Sequence, residues 1–144
     1  MAPPRNPFQY AIVRVVPDIV RGEFVNAGVV LLCRTKRFLG ARVGLDPARL
    51  AAIAPDLAPE AVMPHLEGVV RIAEGDAESG PIARLGLAER FHWLVAPSST
   101  MIQVSEAHTG LCHDPAAELE HLFRTLVERP APPERPAPTG ASGR

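Results

Sequence analysis

The stretch RGEFVNAGVVLLCR, residues 21–34, decides the fold. Val25, Val29, Val30, Leu31 and Leu32 stand almost back to back, and the run is far shorter than the roughly 20 apolar residues of a membrane-spanning helix. Its β-branched content predicts a strand. Strict alternation sends Glu23, Val25, Ala27, Val29, Leu31 and Cys33 to one face, and Phe24, Asn26, Gly28, Val30, Leu32 and Arg34 to the other. Both faces are apolar beyond Ala27, which is the pattern of a central strand covered on both sides. Arg21, Glu23 and Asn26 give this buried strand a polar mouth.

Working outward, Phe8 to Val16 alternates and reads as a first strand ended by Pro17-Asp18. Phe38 to Leu45 reads as a third, beyond the polar turn Arg34-Thr35-Lys36-Arg37. Short links between the three predict an antiparallel meander. Asp46-Pro47 and Asp114-Pro115 are both helix starts, with Asp as N-cap and Pro in the first turn. A helix over about Glu60–Glu74 carries Val62, Leu66, Val69, Val70 and Ala73 at helical spacing, with Pro64 predicting a kink or a later start. Leu87, Phe91, Leu94 and Val95 form a further helical stripe. Thr100, Ile102 and Val104 form a fourth strand, and Glu106–His113 reads as a turn. Leu119, Leu122, Phe123, Leu126 and Val127 mark the last helix. The fold class is therefore α+β: an antiparallel sheet of about four strands, a three-stranded meander plus one later strand, packed with helices. Residues 1–7 read as a flexible arm, 8–129 as a single domain, and 130–144, with five prolines and no large apolar side chain, as a disordered tail.

The bulk numbers exclude several classes. A formal net charge of −1 points to neither nucleic acid nor acidic lipid. Of the 15 basic residues only Lys36 is lysine, which we read as coding bias and not as a phosphate-binding adaptation. Two cysteines, Cys33 and Cys112, make no disulfide framework. The N-terminus has no apolar signal region, so a cytoplasmic location is expected.

Three blocks carry a family resemblance: Arg21–Leu31 (RGEFVNAGVVL), Arg90–Leu94 (RFHWL), and Ala96–Gln103 (APSSTMIQ) leading to His108-Thr109-Gly110. Together they resemble the bacterial family catalogued as domain of unknown function 3037, over roughly Phe8 to Val127. The resemblance implies no activity, cofactor or catalytic residue. Members of that family look like frequent genetic neighbours of HipA-type kinase-fold proteins, which implies an accessory role and a protein partner.

Four groups of residues are candidates for function. Arg21, Glu23 and Asn26 bring a guanidinium, a carboxylate and an amide together in sequence, although Glu23 and Asn26 face opposite ways on a regular strand. A bulge would bring them together, and Gly28, which follows Asn26, is not expected to supply one. The preferred reading pairs Glu23 with Arg14 or Arg21 and gives Asn26 a backbone partner. Ser98, Ser99, Thr100, Gln103, His108 and Thr109 offer hydroxyls beside a histidine, but without the Gly-x-Ser-x-Gly elbow of a hydrolase. A cleft of Glu23, Asn26, Ser99, Gln103 and His108 would be the site of a small hydrolase or nucleotide-binding protein. Arg34, Lys36, Arg37 and Arg42 would contact phosphates if the second hairpin bound nucleic acid, yet aromatic interleaving for base stacking is sparse. Trp93, the only tryptophan, cannot share one face with both Phe91 and Leu94. It is expected half-buried on the sheet or, if exposed, at a partner surface. His108, Cys112, His113 and His121 do not have defensible zinc spacing, so no metal and no cofactor is expected. The leading reading is a non-catalytic interaction module without a membrane segment.

Overall fold

The computed structural model describes residues 4–98 and 100–128; Ser99 and the expected Pro-rich tail lie outside them. Its order is β1 (Asn6–Val15), β2 (Val25–Cys33), β3 (Phe38–Val43), α1 (Pro47–Ile53), α2 (Pro59–Glu74), α3 (Leu87–Val95), β4 (Ile102–Val104), β5 (His108–Cys112) and α4 (Pro115–Phe123). Two 3₁₀ turns, Ala77–Ser79 and Ile82–Arg84, join α2 to α3, and a π-helical turn, Arg124–Glu128, extends α4. This is the expected α+β fold, with five antiparallel strands among the described residues. No described helix is long and apolar enough to cross a membrane.

The meander holds: β2 pairs with β1 on one side and β3 on the other. As expected of a doubly covered strand, Val29 to Leu32 are all but inaccessible to water. Val30 and Leu32 enter a core with Val13, Leu50, Val62, Leu66 and Phe91, which lies under α1, α2 and α3. Val29, Leu31 and Cys33 enter a second core with Phe8, Leu119, Phe123 and Val127, under α4. Both Asp-Pro signals start helices, Asp46 Oδ1 accepting from Ala48 N–H at 3.0 Å and Asp114 Oδ1 from Ala116 N–H at 3.1 Å. Helix α2 begins at Pro59 and runs through Pro64, so the later start is not taken.

Two expectations need correction. His108–Cys112 is a strand, not a turn, pairing with β1 from Tyr10↔His108 to Asn6↔Cys112. Its partners Asn6 and Pro7 accordingly belong to β1 and not to an arm. The segment hides its character because only Cys112 is buried, so hydrophobic alternation is absent. Gly110 faces Phe8, whose ring would lie 2.7 Å from an added Cβ. Strands β4 and β5 thus lie end to end along one edge of β1. At the break between them the hydroxyl of Ser105, a buried residue, accepts from Ile12 N–H at 2.8 Å, doing the work of a missing strand carbonyl.

The second correction concerns parity. Val13 faces Gly28 and Arg14 faces Asn26, so Ala27 is an extra residue in β2. This β-bulge lies after Asn26, so it turns Asn26 relative to Val30 and Leu32 and does not bring Glu23 and Asn26 together. Ala27 joins the core of Val30 and Leu32, while Asn26 turns to the α4 face beside Val29. Gly28 is needed beside the bulge: a Cβ there would stand 2.9 Å from both Arg42 O and Val43 Cγ1.

Candidate functional site

Two places on the molecule concentrate unusual side chains, one on each face of the β1–β4 edge. The first is an apolar groove of about 680 Å³ between α2, α3 and β4. Pro64, His65, Gly68 and Ile72 form its α2 wall, Trp93 and Leu94 its α3 wall, and Met101, Ile102 and Val104 its floor. Trp93 is 50 % exposed at this groove, because Phe91 and Leu94 take the inward positions of α3. It lines this groove half-buried, together with residues of strand β4. Gly68 has no side chain to fill the space opposite.

The rim is polar but internally satisfied. Thr100 Oγ1 donates to Ile102 O at 2.7 Å and lies 3.0 Å from Ser98 Oγ, and Gln103, which does not line the groove, donates its Nε2 hydrogen to Thr100 O at 3.1 Å. These hydroxyls cap the chain between α3 and β4.

The second place is a row across the other face of the sheet, in the order Gln103, Arg14, Asn26 on β4, β1 and β2. Adjacent strand residues point to opposite faces, so Ile102 and Val104 serve the groove while Gln103 serves the row. The bulge puts Asn26 into line. Its Nδ2 donates to Leu126 O at 3.2 Å, and Arg49 Nη1 donates to Val127 O at 2.9 Å, so both side chains cap the π-helical end of α4. The guanidinium carbon of Arg14 stands 4.3 Å from the ring centre of Phe24. Arg14 Nε and Asn26 Oδ1 are both buried without a hydrogen-bond partner.

The remaining expected residues do not converge. Glu23 is held by Arg21 at 2.7 Å, both exposed, and this pairing holds the Arg21 guanidinium above its usual pKa. His108 stacks on Tyr10, ring centres 5.2 Å apart, which places it four residues along β1 from Arg14, roughly 13 Å at strand spacing. Thr109 pairs with Gln9 and points to the opposite face from His108. Ser99 lies outside the described residues. Glu23, Asn26, Gln103 and His108 therefore share no single cleft. Arg42 leaves the basic hairpin set: it lies on Phe123 and pairs with Glu120 at 3.0 Å, whereas Arg34, Lys36 and Arg37 stand exposed on the β2–β3 turn.

Cys33 and Cys112 are buried free thiols in the α4-side core. Burial, and then the neighbouring Cys33, push the Cys112 thiol above its ordinary pKa, the opposite of the shift that activates a cysteine nucleophile. Among the described residues no group of three His, Cys, Asp or Glu side chains could hold a metal ion.

The family model described as Protein of unknown function (DUF3037) matches residues 10–127. The chain belongs to the DUF3037 family. No curated protein and no solved structure matches it. In this DUF3037 chain the first resemblance block contains the bulge that turns Asn26. The second carries Trp93 and Arg90, and the third floors the groove and supplies Gln103. Arg90, buried in α3, donates to Leu85 O and to Ala73 O at the C-terminal end of α2, so its charge has a structural task. Sequence reasoning gave Arg90 no role and offered Arg14 only as a possible partner of Glu23, which Arg21 holds instead. An arginine on an apolar helix face was a usable signal for the first, whereas Arg14 gains meaning only from its strand neighbours.

Proposed function

We propose that the domain is a non-catalytic binding module that holds an extended apolar segment of a partner polypeptide in the Trp93 groove. One observation carries the reading: a half-exposed tryptophan on an apolar groove whose floor, β4, is an edge strand of the sheet. An added strand beside β4 would gain main-chain hydrogen bonds, and its alternate side chains would drop among Trp93, Leu94 and Met101. Tryptophan in such a place is the residue type that most often dominates an interface.

HipA-type kinase-fold proteins, which the family resemblance implies as genetic neighbours, supply the partner to test. Immobilised wild-type domain should retain the HipA-type protein of the same genome, and Trp93→Ala should weaken retention about tenfold or more. Trp93 emission should shift to the blue as the groove fills. Equal retention by Trp93→Ala would remove the groove from the reading, and failure of the wild type to retain the protein would remove the partner. A hydrolase reading would need a nucleophile and a base within hydrogen-bond reach, and Thr100 stands before β4, beyond the Val15 end of the pairing, whereas His108 pairs with Tyr10. A nucleic-acid reading keeps only Arg34, Lys36 and Arg37.

A further inference from the structure

We infer that Arg14 anchors a second binding site, for a carboxylate carried beside an N–H group, on the face of the sheet opposite the Trp93 groove. The inference rests on a comparison among the arginines packed into the fold. Arg49 donates to Val127 O, and Arg90 to Leu85 O and Ala73 O. Arg42 lies 4.5 Å over the Phe123 ring while its Nε donates to both oxygens of Glu120, at 3.0 and 3.3 Å. Arg14 repeats the same arrangement over Phe24 but has no carboxylate: neither ion pair formed among the described residues involves it, and its Nε is buried without an acceptor, as is that of Arg90, whose other two nitrogens are satisfied by carbonyls.

A guanidinium stays charged at any pH the fold survives, and a buried donor without an acceptor is costly. Directly across the strand pair, Asn26 Oδ1 is a buried acceptor without a donor. The pair therefore presents one positive charge next to one open acceptor. A ligand that complements both brings an anionic oxygen and an N–H within a few ångströms, as an acylated amino acid or the last residue of a peptide does. A carboxylate fits better than a phosphate dianion, because the row holds one cation flanked by the neutral Gln103 and Asn26. The chain itself answers the same geometry at Arg42 with a carboxylate. Phe24, 46 % exposed, leaves the guanidinium's aromatic wall at the surface, where a ligand reaches it.

The test follows the arginine Nε–H resonances of the full ¹⁵N-labelled chain as N-acetylglycine is added, with N-acetylglycinamide as the control. The Arg14 resonance should move saturably with the acid and not with the amide. Arg14→Gln should weaken binding about tenfold or more, the scale of a charge-assisted pair, while Arg42→Gln leaves it unchanged. Gln103→Glu, which places a carboxylate in the row, should weaken it as well. An Arg14 resonance unmoved at saturating acid, or moved equally by the amide, overturns the inference. So does a shift of that resonance without added ligand on Glu134→Gln, the one acidic side chain of the sequence beyond the described residues 4–128, which would assign the carboxylate to the chain itself. Arg14→Lys, which keeps the charge but loses the fork, guards against misreading a variant that fails to fold.

Discussion

Arg42 on Phe123 and Arg14 on Phe24 are two copies of one motif on one face of the sheet, and they differ in how they are completed. At Arg42 the helix α4 supplies both the ring, nearly fully buried, and the carboxylate of Glu120, one turn of helix away. At Arg14 the ring comes from the segment just before β2 and is half exposed, and no carboxylate of the described chain follows it. A helix delivers residues i and i+3 to the same place, so Glu120 and Phe123 arrive together. A strand mouth delivers one residue per face, and Arg14 receives only Phe24. The closed pair is part of the scaffold; the open pair is where a ligand has something to complete.

That contrast makes its largest prediction in the aromatic partners. Phe123→Ala should cost about 3–5 kcal/mol in denaturant unfolding, because it empties a core position. Phe24→Ala should cost less than about 1 kcal/mol, because it removes a half-exposed ring and one cation–π contact. Comparable losses would mean that the Arg14 pair is as much a part of the scaffold as the Arg42 pair.

Asn26 comes next. Asn26→Leu leaves Leu126 O without its donor and should cost about 1–3 kcal/mol, with hydrogen exchange speeding up first in the last turn of α4. If exchange there is unchanged, Asn26 is free of the scaffold role that the bulge gives it.

The smallest effect sharpens the comparison most. Glu120→Gln should lower stability by only about 0.2–1 kcal/mol, since both partners are nearly half exposed. It should also open Arg42, so that N-acetylglycine moves two arginine Nε–H resonances where wild type shows one. A variant that still shows one would mean that an aromatic ring and a free guanidinium are not enough, and that the open acceptor of Asn26 is required.

Much of this architecture is legible along the chain. The β2 run, the two Asp-Pro helix starts and the stripe of α4 are local signals, written in residues a few positions apart. Their reading survives because burial of a doubly covered strand and capping of a helix are decided by near neighbours. Strand β5 was hidden because an edge strand with a single buried residue has no alternation to read, and its pairing depends on Phe8 lying across Gly110 from more than a hundred positions away.

The candidate site was half legible. Asn26, Gln103 and Trp93 stand out as polar or aromatic residues in otherwise apolar stretches, and residue type alone was enough to single them out. Which of them meet was a matter of register. One extra residue at Ala27 reverses the face of everything before it, so Asn26 joins Arg14 and Gln103 and parts from the groove. Alternation along a strand is set by bonds within the chain and can be counted. A bulge is set by which partner lies opposite, and that is fixed only when the strands pair.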